Sequence, residues 1–220
     1  GDAKDLLTVL GNYYPEDDQI WGTIRKLAIE DAEQKMKRNP EQWAIYTAAS
    51  HMNVNVLAGP GSGKTHVLTM KCAKLIYKEN VAPSQILVLA YNRAVVIELK
   101  TRLAKLFASL GLSSSASQLH VYTFHGLAKR VCGELVLGSE DIRLWERQLL
   151  KLIQVNPMEL KRIFPDIHYV LVDEFQDITQ TRLDALFELK RIYPKISFFT
   201  IGDKDQSIYG FDKVESTDPD

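Results

Sequence analysis

Cysteine is nearly absent from this 220-residue chain. The two residues, Cys72 and Cys132, lie far apart and form no CxxC pair. That pattern excludes a disulfide framework and a paired-thiol zinc site, and makes a reducing, cytoplasmic home the expectation. No apolar run approaches the ~20 residues of a membrane helix, so no membrane partner is expected. The first residues, Gly1-Asp2-Ala3-Lys4-Asp5, lack the basic-then-apolar order of a secretion signal. A leading Gly without Met carries the expectation that the native chain extends beyond both ends. Net charge is also missing: 27 basic residues face 28 acidic ones, for −1. Bulk charge therefore lends no support to a nucleic-acid partner, although an average over faces leaves room for a local basic stripe. His51, His66, His120 and His168 have no metal-ligand spacing, and no internal repeat is present.

What is present is a globular composition, 45% hydrophobic and 25% charged, enough for one sizeable core or one core and a small appendage. From Asp17 to Arg38 the apolar residues Ile20, Trp21, Ile24, Leu27, Ala28, Ala32 and Met36 recur at three- and four-residue steps, which predicts an amphipathic helix. Asn39-Pro40 ends it and opens the next helix, because Pro suits a first turn and not an interior. Residues 1–38 thus read as a helical lead-in.

Strand-like and helix-like runs then alternate. Val54–Ala58, Ile86–Ala90, Leu119–Tyr122, Tyr169–Val172 and Ile196–Ile201 are short and apolar with little polar alternation, as strands buried on both faces are. Between them lie helical patterns over Thr65–Glu79, Arg93–Leu110, His125–Glu134, Asp141–Gln154 and Thr181–Tyr193. The alternation predicts a parallel sheet with helices on both faces, with ligands at the carboxyl ends of the strands. Gly111 to Ser117 reads as an exposed, flexible loop, and the Lys71–Lys78 cluster as a solvated helix face.

Two runs carry chemistry. Ala58-Gly59-Pro60-Gly61-Ser62-Gly63-Lys64-Thr65 follows a strand and opens a helix, the context of a phosphate-binding P-loop. Its glycines let backbone N–H groups form an anion nest, and the helix N-terminus adds positive potential. Lys64 suits the β- and γ-phosphates and Thr65 suits Mg2+. The first position is Ala58, where the strict pattern has Gly. Tyr169-Val170-Leu171-Val172-Asp173-Glu174 delivers two carboxylates at a strand end. Asp173 suits Mg2+ and Glu174 suits activation of an attacking water. The two runs together define an ATPase or GTPase, and many proteins share them.

Further runs narrow this. Asp173-Glu174-Phe175-Gln176-Asp177 and Gly202-Asp203-Lys204-Asp205-Gln206-Ser207-Ile208-Tyr209-Gly210-Phe211 resemble motifs II and III of UvrD/Rep helicases. Asn39-Pro40-Glu41-Gln42 resembles their Q motif. Leu89-Ala90-Tyr91-Asn92-Arg93-Ala94 with Glu98-Leu99-Lys100 resembles motif Ia, and Tyr122-Thr123-Phe124-His125-Gly126-Leu127 the DNA-contacting motif after it. All five stand in the family's order over roughly residues 39–212.

The resemblance implies the ATP-binding, N-terminal RecA-like domain of a superfamily 1 DNA helicase. The expected fold is a P-loop NTPase α/β sheet over residues 39–220, with a short helical insert at about 134–166. It implies Lys64, Asp173, Glu174 and Gln206 as catalytic residues, Gln206 sensing the γ-phosphate. It implies nucleotide contacts from Gln42, Gly59, Pro60, Gly61, Ser62, Gly63, Lys64, Thr65 and His66, Gln42 reading adenine. Mg2+ falls to Thr65 and Asp173, and single-stranded DNA to Asn92, Thr123, His125, Tyr209 and Phe211. Gln176 and Tyr209 fall into a relay between nucleotide and DNA, while Phe124 and Phe175 are expected in the core.

Three departures stand out. Asp212 occupies the position after the motif III aromatic, where relatives have Arg, and a carboxylate repels phosphate. Only 48 positions separate His125 from Asp173, where relatives insert a large helical subdomain. The chain ends at Asp220, before the family's second RecA-like domain, which brings arginines worth roughly 10³–10⁵ in rate by analogy with other NTPases. The expected function is therefore a motor in the full-length protein and a weak, very slow ATPase as this piece. Two other classes remain open: a regulatory module that binds nucleotide or DNA without turnover, and a subunit of a nuclease–helicase complex.

Overall fold

A computed structural model describes residues 18–51, 53–57, 63–110, 113–133 and 142–202. The five expected strands all form: β1 (Val54–Leu57), β2 (Ile86–Ala90), β3 (His120–Thr123), β4 (Tyr169–Val172) and β5 (Ser197–Gly202). They join in one sheet of order β1-β5-β4-β2-β3. Every pairing is parallel. The unbroken apolar runs are explained by burial on both faces, and β2 is buried at all five positions.

Successive side chains point to opposite faces, and each face builds its own core. Leu87, Leu89, Val170, Val172 and Phe198 pack on one side with α6 (Phe124–Cys132), α7 (Ile142–Val155), α8 (Pro157–Ile163) and α9 (Gln180–Ile192). Val88, Ala90, Leu171, Phe199 and Ile201 pack on the other with α1 (Asp18–Lys37), α3 (Lys64–Tyr77) and α4 (Arg93–Ser109). Full burial of one such Leu or Phe contributes about 1.5–3 kcal/mol. The result is the expected α/β architecture. The lead-in helix joins the second core: Ile29 is buried there, and Arg25 donates to the Leu110 carbonyl at 2.7 Å.

α2 (Pro40–Thr47) starts as its sequence dictates. Asn39 caps it, its side-chain oxygen accepting from the Glu41 and Gln42 N–H groups, with Pro40 in the first turn. Two local expectations change. Within the stretch Gly111 to Ser117, read as loop, a short helix begins, α5 (Ser113–Gln118), which packs on α4 with Ala116 in the second core. Tertiary contact outweighs the weak helix propensity of serine there. Lys71, read as part of a solvated face, is 1% exposed, because α2 lies over that side of α3.

A candidate nucleotide site and an adjoining basic groove

β1 ends at Leu57, and α3 begins at Lys64. Ala58, Gly59, Pro60, Gly61 and Ser62 fall outside the described residues. Gly63 caps α3 at φ 79°, the left-handed region that favours glycine. A Cβ at Gly63 would stand 2.6 Å from Gln42 Nε2. The glycine therefore serves the turn and also admits the Q-motif side chain to its edge. Lys64 and Thr65 open α3, where free backbone N–H groups and the helix dipole favour an anion. His66 follows, held below its usual pKa by burial and then by the Arg102 charge.

The acids arrive from β4. Asp173 N–H donates to the Leu89 carbonyl at 2.9 Å, which carries the parallel ladder one residue past the strand. Its side chain is 4% exposed. Burial first, and then the charge of Glu174, push its pKa up to about 6. Glu174 takes φ 50°, ψ 49°, a left-handed conformation that costs a non-glycine residue on the order of 1–3 kcal/mol. Its N–H donates to Asp173 Oδ1 at 3.0 Å, stabilising the turn. The turn brings the Glu174 carboxylate to 3.0 Å from Lys64 Nζ. Gln176 Nε2 donates to the same oxygen at 2.6 Å.

β5 runs between β1 and β4, so its end emerges between the end of β1 and the acids. Leu57 pairs with Gly202 and Val172 with Thr200. A Cβ on Gly202 would meet Gln176 Oε1 at 3.1 Å and Gln176 N at 3.3 Å. Glycine lets the 3-10 turn Phe175–Asp177 cross this strand end. Gln206, Tyr209, Phe211 and Asp212 lie outside the described residues. Phe124 and Phe175 are buried, as expected of core residues.

Beside this site, past the ends of β2 and β3, lies a groove of about 520 Å³. Asn92, Thr123 and His125 all line it. Asn92 and Thr123 are helix caps: Asn92 Oδ1 accepts from Val95 N at 3.0 Å, and Thr123 Oγ1 from Gly126 N at 2.9 Å. Two helix N-termini thus face one groove, and the Asn92 amide NH2 and the Thr123 hydroxyl hydrogen remain as donors. His125 meets Trp145 of α7 edge-on at 6.0 Å, and its buried Nδ1 has no hydrogen-bond partner among the described residues. Burial, followed by the Lys129 charge, keeps its pKa below the usual value.

Four cations also line the groove: Arg93 and Lys100, which the motif Ia run contained without a role of their own, and Lys129 and Arg182, which sequence reasoning missed. Among the described residues no acidic side chain lines the groove, which makes it the basic stripe that net charge concealed. Lys129 was legible in retrospect, one helical turn beyond His125. Arg182 was not, since it reaches the groove from α9, more than 50 positions further along the chain. Arg182 pairs with Glu146 at 2.8 Å and stacks on Tyr91 and Phe124, whereas Arg93, Lys100 and Lys129 form no ion pair among the described residues.

An all-parallel sheet whose first strand leads into a glycine-capped helix, with an acid pair after the strand one place removed from it, is an α/β domain of the RecA-like P-loop class. The UvrD/REP helicase N-terminal domain matches this chain over residues 38–143 and 138–217, and the chain belongs to that family. A probable DNA helicase of Mycoplasma pneumoniae is 36% identical over 258 positions, covering 79% of this chain and 47% of the relative. DNA helicase II of Escherichia coli is 38% identical over 84 residues, 38% of this chain and 11% of the relative. A mitochondrial ATP-dependent DNA helicase of Saccharomyces cerevisiae is 36% identical over 103 residues, 44% of this chain and 14% of the relative. The chain spans less than half the length of each. The Mycoplasma alignment has more positions than the chain has residues, so that relative carries extra residues within the matched span. Among the described residues no helix is long and apolar enough to cross a membrane.

Proposed function

We propose that this chain binds ATP with Mg2+ at the carboxyl edge of β1, β5 and β4. In the whole protein, on this reading, hydrolysis drives movement along single-stranded DNA and unwinding of the duplex. The observation that carries it is the 3.0 Å approach of Lys64 Nζ to the Glu174 carboxylate. It brings a phosphate-binding cation and a water-activating base to one point, as hydrolysis at a γ-phosphate requires.

Each residue then has a task. The α3 N-terminus and Lys64 hold the phosphates, and Gln42 meets the adenine edge from beside Gly63. Asp173 and the Thr65 hydroxyl form an oxygen donor set of the kind Mg2+ takes. The ion supplies neutralisation of phosphate charge when bound. Glu174 accepts the proton of the attacking water. Lys64 and Glu174 neutralise each other when no nucleotide is present, and a phosphate competing for Lys64 frees the carboxylate. Gln206 senses the γ-phosphate. Gln176, bonded to Glu174, and Tyr209 carry the state of the nucleotide toward the basic groove. There Asn92, Thr123 and His125 hold single-stranded DNA, whose backbone suits a cationic groove with helix N-termini, and Phe211 contacts the same strand.

The same reading makes residues 39–220 one motor domain with a short insert and residues 1–38 a helical lead-in. A second RecA-like domain in the native protein closes on the nucleotide. Without its arginines the 220-residue chain binds ATP–Mg2+ weakly and turns it over very slowly.

ATPase rates of this chain and of the full-length protein, each with and without single-stranded DNA, test this, with Lys64→Ala as control. A full-length rate that rises steeply with DNA, needs Lys64 and far exceeds the fragment's supports the motor. ATP binding that DNA leaves unaffected, with no turnover, favours the regulatory module instead.

A further inference from the structure

Lys71 is a buried ammonium that nothing in the proposed chemistry uses. It lies two turns along α3 from Lys64, is 1% exposed, and sits 5.1 Å from the centre of the Phe199 ring. Removing a charge from water costs free energy unless a specific contact offsets it. The contact here is the carbonyl of Ala48, the C-cap of α2, which accepts from Lys71 Nζ at 2.6 Å. One turn on, Lys74 donates to the Tyr46 carbonyl at 3.2 Å and lies 5.4 Å over the Tyr46 ring. Two cations thus meet the carbonyl end of α2, where the helix dipole favours them.

The other end of α2 carries Gln42, pressed against Gly63 at the start of α3. From Gly63 to Lys71 along α3 is roughly 12 Å, and from Gln42 to Ala48 along α2 roughly 9 Å, at helical rise. The two helices are therefore clasped at both ends, and Lys71 and Lys74 are the clasp remote from the nucleotide. A glutamine amide pairs with adenine in two hydrogen bonds, accepting from its amino group and donating to its ring nitrogen. Guanine offers two acceptors on that edge. Such discrimination requires placement to about 0.5 Å.

We infer that Lys71, assisted by Lys74, is a positioning residue for base selection: it holds the C-terminal carbonyls of α2 on α3 and thereby sets Gln42 at the height that favours adenine over guanine. The inference rests on Gln42 as the adenine-reading residue.

Equilibrium binding of ATP, GTP and inorganic tripolyphosphate, each with Mg2+, to the full chain tests it. Lys71→Met is expected to weaken ATP about tenfold, the worth of one well-made hydrogen bond, and to leave GTP and tripolyphosphate within about twofold. The ATP-to-GTP ratio then falls toward that of Gln42→Ala. Lys74→Met shifts it less in the same direction, and serves alone if Lys71→Met does not fold. Lys71→Arg restores part of the preference. The inference is overturned if the lysine variants weaken all three ligands equally, or leave the ratio unchanged while Gln42→Ala abolishes it. A wild-type chain with no ATP preference, or a Gln42→Ala chain that keeps it, overturns the reading of Gln42 and this inference together.

Discussion

Lys64 and Glu174 stand 110 positions apart in the chain and 3.0 Å apart in the fold. The ion pair is partly open to solvent, with side-chain exposures of 14% and 28%. Its contribution to stability is therefore small, and its meaning lies in what each group is held ready to do. Glu174→Gln keeps a hydrogen-bonding side chain at the same place and removes the base. In the full-length protein, single-turnover hydrolysis is expected to fall about 10²–10⁴-fold. ATP affinity should hold or tighten, because Lys64 is released. Loss of binding together with hydrolysis would make Glu174 a structural partner of Lys64 and not a base.

Asp173 carries a stability cost in the empty protein. Its folded pKa, about 6, lies above the ordinary 3.8, because burial and then Glu174 disfavour its charge. The fold holds the Asp173 proton more tightly than the unfolded chain does. Stability from this group is full below about pH 4 and is lost as pH rises through about 6. Asp173→Asn is expected to stabilise the nucleotide-free chain at pH 7 by up to about 3 kcal/mol. Thermal melts of both chains check it, and the gain should vanish toward pH 4. A difference that stays flat across that window would contradict the buried-charge account.

Lys71 works in the opposite sense. Burial, and then the Lys74 charge, bring its pKa from 10.5 down to about 8. The cost of burying its charge is full below about pH 8 and is relieved as pH climbs toward 10.5. Subtracting Lys71→Met stability from wild type should leave a rising slope between those values. Bonds lost in the variant add a constant offset and leave the slope untouched. Chemical denaturation at several pH values reads it.

The basic groove separates two kinds of cation. Lys129→Ala is expected to melt near wild type, and to weaken single-stranded DNA binding by the full-length protein with a shallower salt dependence, by about 0.7 in log–log slope for one lost phosphate contact. Arg182→Ala removes the partner of Glu146, whose side chain is 8% exposed. That change should cost about 3–5 kcal/mol of stability through the stranded carboxylate. Equal melting losses in the two variants would refute the distinction.

Local chemistry made much of this protein legible. The limits of β2 and β4 match the expected residues, because an apolar run bounded by turn residues has one way to be buried. Asn39-Pro40 announces a helix start that forms. The Gly63-Lys64-Thr65 and Asp173-Glu174 runs suggest their proposed chemistry only as a pair, since an apolar strand ending in two carboxylates is common by itself. Ser113–Gln118 was not legible, since its helix rests on α4 and not on its own propensities.

By itself, then, the sequence determined the five strands, most of the helices and the family to which the chain belongs, and it marked the two runs to which nucleotide chemistry is proposed. These follow from periodicity, capping and motif spacing, which act over a few residues. The tertiary structure alone decided that β5 inserts between β1 and β4, that Glu174 turns back onto Lys64, that Lys71 is sealed beneath α2, and that Arg182 of α9 reaches the groove beside α6. Each depends on which distant segments pair and cover one another, and that choice is made by burial of both sheet faces at once.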